Sequence, residues 1–256
     1  MVYIIVSLIC IAIGVALIFR RTKLLTQVTD ISIAGMDSIE DIIEQLKFVS
    51  EEIEKPNALK RIVEFNGTIS DESFITSELS QKSCVYYNVK VEERYEETYY
   101  IQNKNRRERH TRTGTKTIRN EIYWNNFYVI KDNLKIKVDP SNCREIDTTL
   151  AFSRYEPYKK SSGRDYRILG HQYTETLLPI GSKVYIVGEI SYDGEDFLIK
   201  KPDDTSSPFI ISMKSKEEIL QKKKSSADLT LIGAILLFIA SVIFFIVGII
   251  HLGKMH

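Results

Sequence analysis

Two long apolar stretches, one near each end of the chain, dominate the pattern of hydrophobic and polar positions. Residues 2–19 and 229–252 contain no Asp, Glu, Lys or Arg. As α-helices they would extend about 27 Å and about 36 Å, against a hydrocarbon core of roughly 30 Å. Both are predicted to span a membrane. The first is expected to be an uncleaved anchor rather than a cleaved signal peptide, because Arg20, Arg21 and Lys23 follow it and a signal carries its charge in front.

Between these stretches, residues 37–54 have the three-to-four-residue period of an amphipathic helix. Ser38 is suited to begin this helix, and Pro56 is suited to end it. Its apolar face consists of Ile39, Ile42, Ile43, Leu46, Val49 and Ile53. The polar face is acidic, which favours packing on the protein over binding to anionic lipid; a partner protein is the alternative.

From Arg61 onward the pattern changes to β-strands. Residues 61–70, 84–101 and 116–132 are rich in Val, Ile and Tyr, and several shorter strands follow. The polar segment 103–114 is predicted to be a turn region, and 153–163 a flexible loop. About eight strands with local hairpins predict a mainly β domain, an antiparallel β-barrel or sandwich. With the amphipathic helix before it, this domain is held between two transmembrane helices.

The resulting division of the chain has five parts. We expect transmembrane helix 1 at 2–19, a linker and amphipathic helix at 24–60, the β domain at 61–213, a basic juxtamembrane segment at 214–228, and transmembrane helix 2 at 229–252. Lysines 222–224 precede the second span, and basic residues also follow the first. Under the positive-inside rule this predicts a cytoplasmic β domain with both termini outside.

The net charge and the cysteine content limit the kinds of binding and catalytic site that the chain is expected to contain. The formal net charge of +1 gives no reason to expect nucleic acid as a partner. Cys84 and Cys143 are the only cysteines of the β domain, and we expect buried thiols rather than a disulfide or a zinc site. His171, in a strand, is expected to be structural. We predict no catalytic residue, no metal and no cofactor.

One charged series is singled out as a candidate binding site. Its members are Lys104, Arg106, Arg107, Arg109, His110, Arg112, Lys116 and Arg119. They are expected near the tip of a long hairpin flanked by Tyr99, Tyr100 and Trp124. The series either protects a sheet edge from aggregation or docks an acidic protein partner or anionic lipid. Nucleic acid is the third alternative.

Three stretches carry a family resemblance. They are 67–93, with Gly67-Thr68-Ile69, Cys84-Val85-Tyr86-Tyr87 and Val91-Glu92-Glu93; 127–140, FYVIKDNLKIKVDP; and 175–188, ETLLPIGSKVYIVG. In this order between two membrane spans, they resemble the GIDE domain, also called BAM (beside a membrane), of organelle RING ubiquitin ligases and prokaryotic relatives. Two family features differ: a Pro-Leu-Ser-Gly turn is Glu78-Leu79-Ser80-Gln81 here, and a usual Gly after Asp132 is Asn133.

The resemblance implies a membrane-proximal module that recognises protein partners or substrates. The ligases carry a RING with eight Cys or His zinc ligands after the second span, whereas four residues follow Leu252 here. Ligase activity is therefore not expected of this chain. We expect a two-pass membrane protein, in contact with lipid through both spans, whose β domain binds or scaffolds proteins. The alternative is a component of a ubiquitin-ligase-like system whose chemistry another chain supplies. In the organelle ligases this domain faces the intermembrane space, which conflicts with the charge-based orientation.

Overall fold

The structure is a computed structural model that describes residues 2–35, 37–53, 59–103, 106–143, 145–158, 165–204 and 207–253. Its helices are α1 (Val2–Ala34), α2 (Ile39–Ile53) and α3 (Lys216–Gly253). Its strands are β1 (Arg61–Ile69), β2 (Ile75–Thr76), β3 (Ser83–Asn103), β4 (Arg106–Trp124), β5 (Phe127–Lys131), β6 (Leu134–Val138), β7 (Glu145–Ile146), β8 (Thr149–Pro157), β9 (Tyr166–Pro179), β10 (Lys183–Tyr192), β11 (Phe197–Lys200) and β12 (Ile210–Ser212). Lys104, Pro56 and residues 159–163 of the expected loop at 153–163 lie outside the described residues. The loop prediction is wrong for 153–157, because these residues belong to β8 and pair with β9.

Helices α1 and α3 pack side by side and run antiparallel. The hydroxyl oxygens of Ser7 and Ser241 lie 3.0 Å apart, and Gly14 is buried against the ring of Phe238. Most other apolar side chains of these helices point away from the protein. The two helices are long and apolar enough to cross a membrane, and their exposed apolar surface distinguishes them from the core helices of a soluble protein.

Five strands close into a β-barrel. Their order is β1-β5-β6-β11-β10, and β10 returns to pair with β1. The β6–β11 pair is parallel and the other four pairs are antiparallel, which is the connectivity of an OB fold. The predicted barrel is thus confirmed, with one parallel pair where only antiparallel pairing was expected. Strands β12 and β7 extend the sheet beyond β10.

Helix α2 closes one side of this barrel. Ile42, Ile43 and Leu46 are buried in the same core as Phe127 and Ile136. The predicted amphipathic helix and its packing against the domain are confirmed, because the apolar face found by periodicity is the face that is buried.

A second sheet projects from the barrel. Strand β3 pairs with β9 on one side and with β2 and then β4 on the other, while β8 pairs with β9. With 21 residues, β3 extends over about 65 Å. The segment expected to be a turn at 103–114 is strand from Arg106 onward, because cross-strand pairs with β3 continue to Asn103.

The helices connect the barrel to the apolar segments through a stalk, which consists of residues 24–34 of α1 and 216–228 of α3. Helix α1 continues past Phe19 to Ala34 because its last turns pack on the barrel. There Ile31 and Ala34, together with Ile219 of α3, are buried against Tyr185, Val187 and Ile210 of β10 and β12. The stalk therefore separates the barrel and the second sheet from the apolar segments.

Candidate functional site: a basic β-arm

The candidate site lies on the outer part of the β3–β4 hairpin, residues 91–103 and 106–119, which we call the β-arm. Beyond Glu97, the last β3 residue paired with β9, only β3 and β4 pair with each other among the described strands. Strand β4 is exposed on both faces for most of its length. Val91 is the one β-arm residue in the buried apolar clusters of the described structure, so the β-arm adds little to the hydrophobic core. Its other side chains are therefore available for contact with a partner.

The described members of the basic series all lie on β4. Arg106 is next to the tip, Arg119 is opposite Val91 near the base, and the others are spread between them. The series follows the strand rather than gathering at the tip as the sequence suggested. Tyr99 and Tyr100 do lie near the tip, opposite His110 and Arg109, whereas Trp124 lies at the base opposite Tyr86.

Two of the arginines are held by carboxylates of the same chain. Arg119 binds both oxygens of Glu78, at 2.6 and 2.7 Å, and contacts Glu121 at 2.7 Å. Arg112 contacts Glu97 at 2.7 Å. These hydrogen bonds raise the pKa of each guanidinium, chiefly through Glu78 for Arg119 and through Glu97 for Arg112. Arg112 and Arg119 are thus already partnered, and they shape the hairpin.

Of the five other described members of the series, His110 lies near Glu108, and four make no ion pair with any described residue. They are Arg106, Arg107, Arg109 and Lys116, and all four are exposed. The Arg107 guanidinium lies 4.3 Å from the centre of the Tyr100 ring, and Tyr99 stacks on His110. Tyr99 and Tyr100 are 40% and 45% exposed. The outer β-arm therefore presents unpaired positive charge beside accessible aromatic rings.

The charge is not the same on the two faces of the β-arm. Side chains alternate along a strand, so Arg107 and Arg109 share one face. Their cross-strand neighbours on β3 are Gln102 and Tyr100, neither of which is acidic. On the other face, Glu108 lies between Arg106 and His110, 3.6 Å from the histidine. Only the first face combines adjacent arginines with no carboxylate between them.

The outer edge of β4 has no partner in the described part of the chain. Every second residue of an antiparallel strand directs its N–H and C=O toward the same side, so about half of the β4 residues offer free backbone groups at this edge. The edge can thus accept a further strand, and the arginines determine which charge that strand must carry.

The two cysteines of the β domain are shielded from ionisation, and His171 lies close to a carboxylate. Cys84 and Cys143 are free thiols, and burial raises the pKa of Cys84 to about 11 and that of Cys143 to about 12, so neither is a thiolate near neutral pH. His171 lies in β9 with its Nε2 3.7 Å from Glu93. Within the described ranges, no group of His, Cys, Asp and Glu is arranged to hold a metal ion.

Sequence reasoning missed one buried charge near the base of the hairpin. The Glu175 carboxylate of β9 is fully buried and accepts hydrogen bonds from Leu79 N at 2.6 Å, Ser80 N at 3.0 Å and Ser80 Oγ at 2.5 Å. It fixes the turn that departs from the family pattern. In that turn Gln81 has a φ of 56°, a left-handed conformation that explains why the family often has Gly there. No local signal connects residues 95 positions apart.

Comparison with known proteins places the chain in a family. A family model described as GIDE: E3 Ubiquitin ligase matches residues 96–248, which are 153 of the 256 residues. The chain therefore belongs to the GIDE family, and with its two apolar helices it is a membrane protein carrying a GIDE domain. The match includes the second and third stretches noted in the sequence and begins just after the first. No curated protein and no solved structure matches.

Proposed function

We propose that this GIDE-family chain presents a protein-binding or scaffolding module beside the membrane, and that β4 is its recognition strand for an acidic protein segment. The observation that carries the proposal is the set of four unpaired basic residues on a strand whose outer edge is free. In this proposal the module acts by binding, through the charge of these residues and the free edge of the strand.

An extended segment fits this edge better than a folded surface does. Free N–H and C=O groups bind an added strand through main-chain hydrogen bonds, and alternate side chains then supply specificity. Arg107 and Arg109 are two residues apart, so they match carboxylates at positions i and i+2 of the added strand. The exposed Tyr100 ring supports Arg107 from behind, through the 4.3 Å contact.

A second copy of β4 is a poor occupant of the same edge. Antiparallel pairing of two β4 strands about Arg107 and Arg109 would place guanidinium groups opposite guanidinium groups, and like charges directly opposite are destabilising. The same charge protects the edge against aggregation when no partner is bound. Protection of the edge and recognition of an acidic segment thus require the same residues.

The orientation in the membrane follows from charge and is part of the proposal. Basic residues flank both apolar segments on the side of the β domain, which supports a cytoplasmic domain with both termini outside. We also propose that the five-part division at 2–19, 24–60, 61–213, 214–228 and 229–252 describes the functional units. In this division the stalk found in the structure consists of parts of the second and fourth units.

A second candidate function follows from the family description alone. The chain would be a component of a ubiquitin-ligase-like system in which another chain supplies the ligase chemistry. The 256 residues contain three cysteines and four histidines, fewer than the eight zinc ligands that a RING requires. Under this alternative, the acidic segment bound at β4 would belong to the substrate or to the catalytic chain.

A peptide-binding assay tests the proposal. The probe is a fluorescein-labelled 12-residue peptide of alternating Glu and Thr, measured by anisotropy with the full chain in detergent micelles. Replacing Arg107 and Arg109 by Gln should weaken binding roughly tenfold, because each lost charge pair contributes about 0.5–1 kcal/mol at an exposed site. The matched control is Lys82→Gln with Lys131→Gln, on exposed residues outside the β-arm, and it should bind like the wild type. Equal weakening in both variants would show that peptide binding depends only on net charge, which would contradict the proposed site. A wild-type chain that does not bind the peptide would also contradict the proposal.

A further inference from the structure

Six basic residues surround the point where both helices leave their apolar segments. Residues 20–24 and 222–228, which we call the basic neck, contain Arg20, Arg21, Lys23, Lys222, Lys223 and Lys224, with Asp228 as the one acid. Lys223 is satisfied within the protein, by Glu145 at 2.7 Å and Gln27 at 3.0 Å. The other five form no ion pair with a residue that the structure describes. The basic neck thus carries a large unneutralised positive charge.

One of these side chains is partly enclosed without a partner. The Nε atom of Arg21 is buried and makes no hydrogen bond within the described structure. Arg21 lies one turn from Leu24, which lines a cavity of about 340 Å³ between α1, α3 and strands β7 and β12. Lys214, Lys222 and Lys223 also line this cavity. A buried guanidinium donor without an acceptor costs free energy, so an anionic acceptor at this position would relieve that cost.

The height of the basic neck matches a headgroup layer. Arg20, Arg21 and Lys23 lie one to four residues beyond Phe19, which corresponds to about 1.5–6 Å of helix. Lysines 222–224 lie five to seven residues before Leu229, which corresponds to about 7.5–10.5 Å. The headgroup region on each side of a bilayer is about 5–8 Å thick. Long Lys and Arg side chains reach a few ångströms further along the helix. The charged groups therefore lie at the level of lipid phosphates.

We propose that the basic neck is a binding site for the headgroups of anionic phospholipids. The chemical group bound is the phosphodiester of a headgroup that carries no compensating amine. It is supplied by the lipid surface that surrounds the two helices. Basic residues close to such a surface contribute about fivefold each to its attraction. The proposal needs the two helices in a membrane but depends neither on which leaflet the basic neck faces nor on the β-arm.

The test measures lipid selectivity directly. The full chain is reconstituted in phosphatidylcholine bilayers containing a spin-labelled lipid, either phosphatidylglycerol or phosphatidylcholine. Electron paramagnetic resonance then gives the fraction of each lipid that is motionally restricted by the protein. We expect the association constant of phosphatidylglycerol to exceed that of phosphatidylcholine at least fivefold. Replacing Arg20, Arg21 and Lys23 by Gln should reduce this ratio at least threefold.

Two controls separate the site from general charge and from soluble anions. The variant Lys82→Gln, Lys131→Gln, Lys201→Gln removes the same charge from the β domain and should keep the wild-type ratio. Inorganic phosphate should lower the ratio no more than sodium chloride of equal ionic strength. A ratio near one in the wild type, an equal loss in both variants, or specific displacement by phosphate would each overturn the proposal.

Discussion

Replacing Glu175 by Gln should destabilise the domain far more than the similar size of the two side chains suggests. The carboxylate is fully buried and accepts three hydrogen bonds from the turn at Leu79 and Ser80. Burial acts to raise the pKa of Glu175, and the bonds from Ser80 and Leu79 together outweigh it, so the pKa lies below its ordinary value. The folded state therefore holds a charged Glu175 more favourably than the unfolded state does.

The size of the effect follows from the donors left without an acceptor. A glutamine has one carbonyl oxygen, and its amide group would face a backbone N–H that can only donate. Each buried donor left unsatisfied costs about 1–3 kcal/mol. With one or two such donors, we expect the free energy of unfolding to fall by about 2–4 kcal/mol. The change should also raise hydrogen exchange at the Leu79 and Ser80 amides, since the turn loses its anchor.

The assay is urea unfolding of the full chain in detergent micelles, followed by the fluorescence of the single Trp124 at the base of the hairpin. Glu195→Gln, at an exposed position, is the control and should change stability by less than about 0.5 kcal/mol. A lowered pKa stabilises the fold at pH values above the unfolded value of about 4.3, and this contribution is lost as the pH falls through the folded pKa. The difference between wild type and Glu175→Gln should thus be constant above about pH 6 and narrow in acid. A difference below 1 kcal/mol at pH 7 would refute this account of the turn.

Three further predictions concern other parts of the molecule. A Cβ at Gly14 would lie 3.3 Å from the Phe238 ring, so Gly14→Leu should separate α1 from α3 and reduce crosslinking between cysteines placed across the contact, whereas Gly14→Ala should be tolerated. Because burial of Cys84 and partial burial of Cys143 raise their pKa values, both should react with a maleimide at pH 7.5 at least a hundredfold more slowly in the folded protein than in urea; equal rates would contradict the raised pKa values. A periplasm-active reporter fused after His256 should be active in a bacterial host, and activity of a cytoplasmic reporter there instead would reverse the proposed orientation.

The sequence predicted best the elements whose signal is local. The two apolar stretches and the apolar face of α2 are defined by residues close together in the chain, and the structure contains all three. The parallel pairing of β6 with β11 joins segments about 60 residues apart, and no periodic pattern in the sequence predicts it. The extension of α1 to Ala34 was also missed, because burial against β10 and β12 supports that helix after its apolar run has ended.

For the candidate site too, the sequence predicted what depends on neighbouring residues and missed what depends on contacts between distant ones. The basic residues were visible as a charged series, but their positions along β4 depend on pairing with β3. Composition alone did not separate the arginines bound by Glu78 and Glu97 from the four that remain unpaired. That separation decides which side chains are available to a partner, and it turns a general basic segment into a specific face around Arg107 and Arg109.

The central claim is that an acidic segment adds to the free edge of β4 as a strand. The most direct measurement is amide hydrogen exchange of the full chain, with and without a saturating peptide of alternating Glu and Thr. A second peptide of the same charge, N-methylated at alternate residues, cannot form the main-chain ladder. We predict slower exchange at every second amide of 106–117 with the first peptide and no such protection with the second. Unchanged exchange along β4 while the first peptide is bound would contradict the claim.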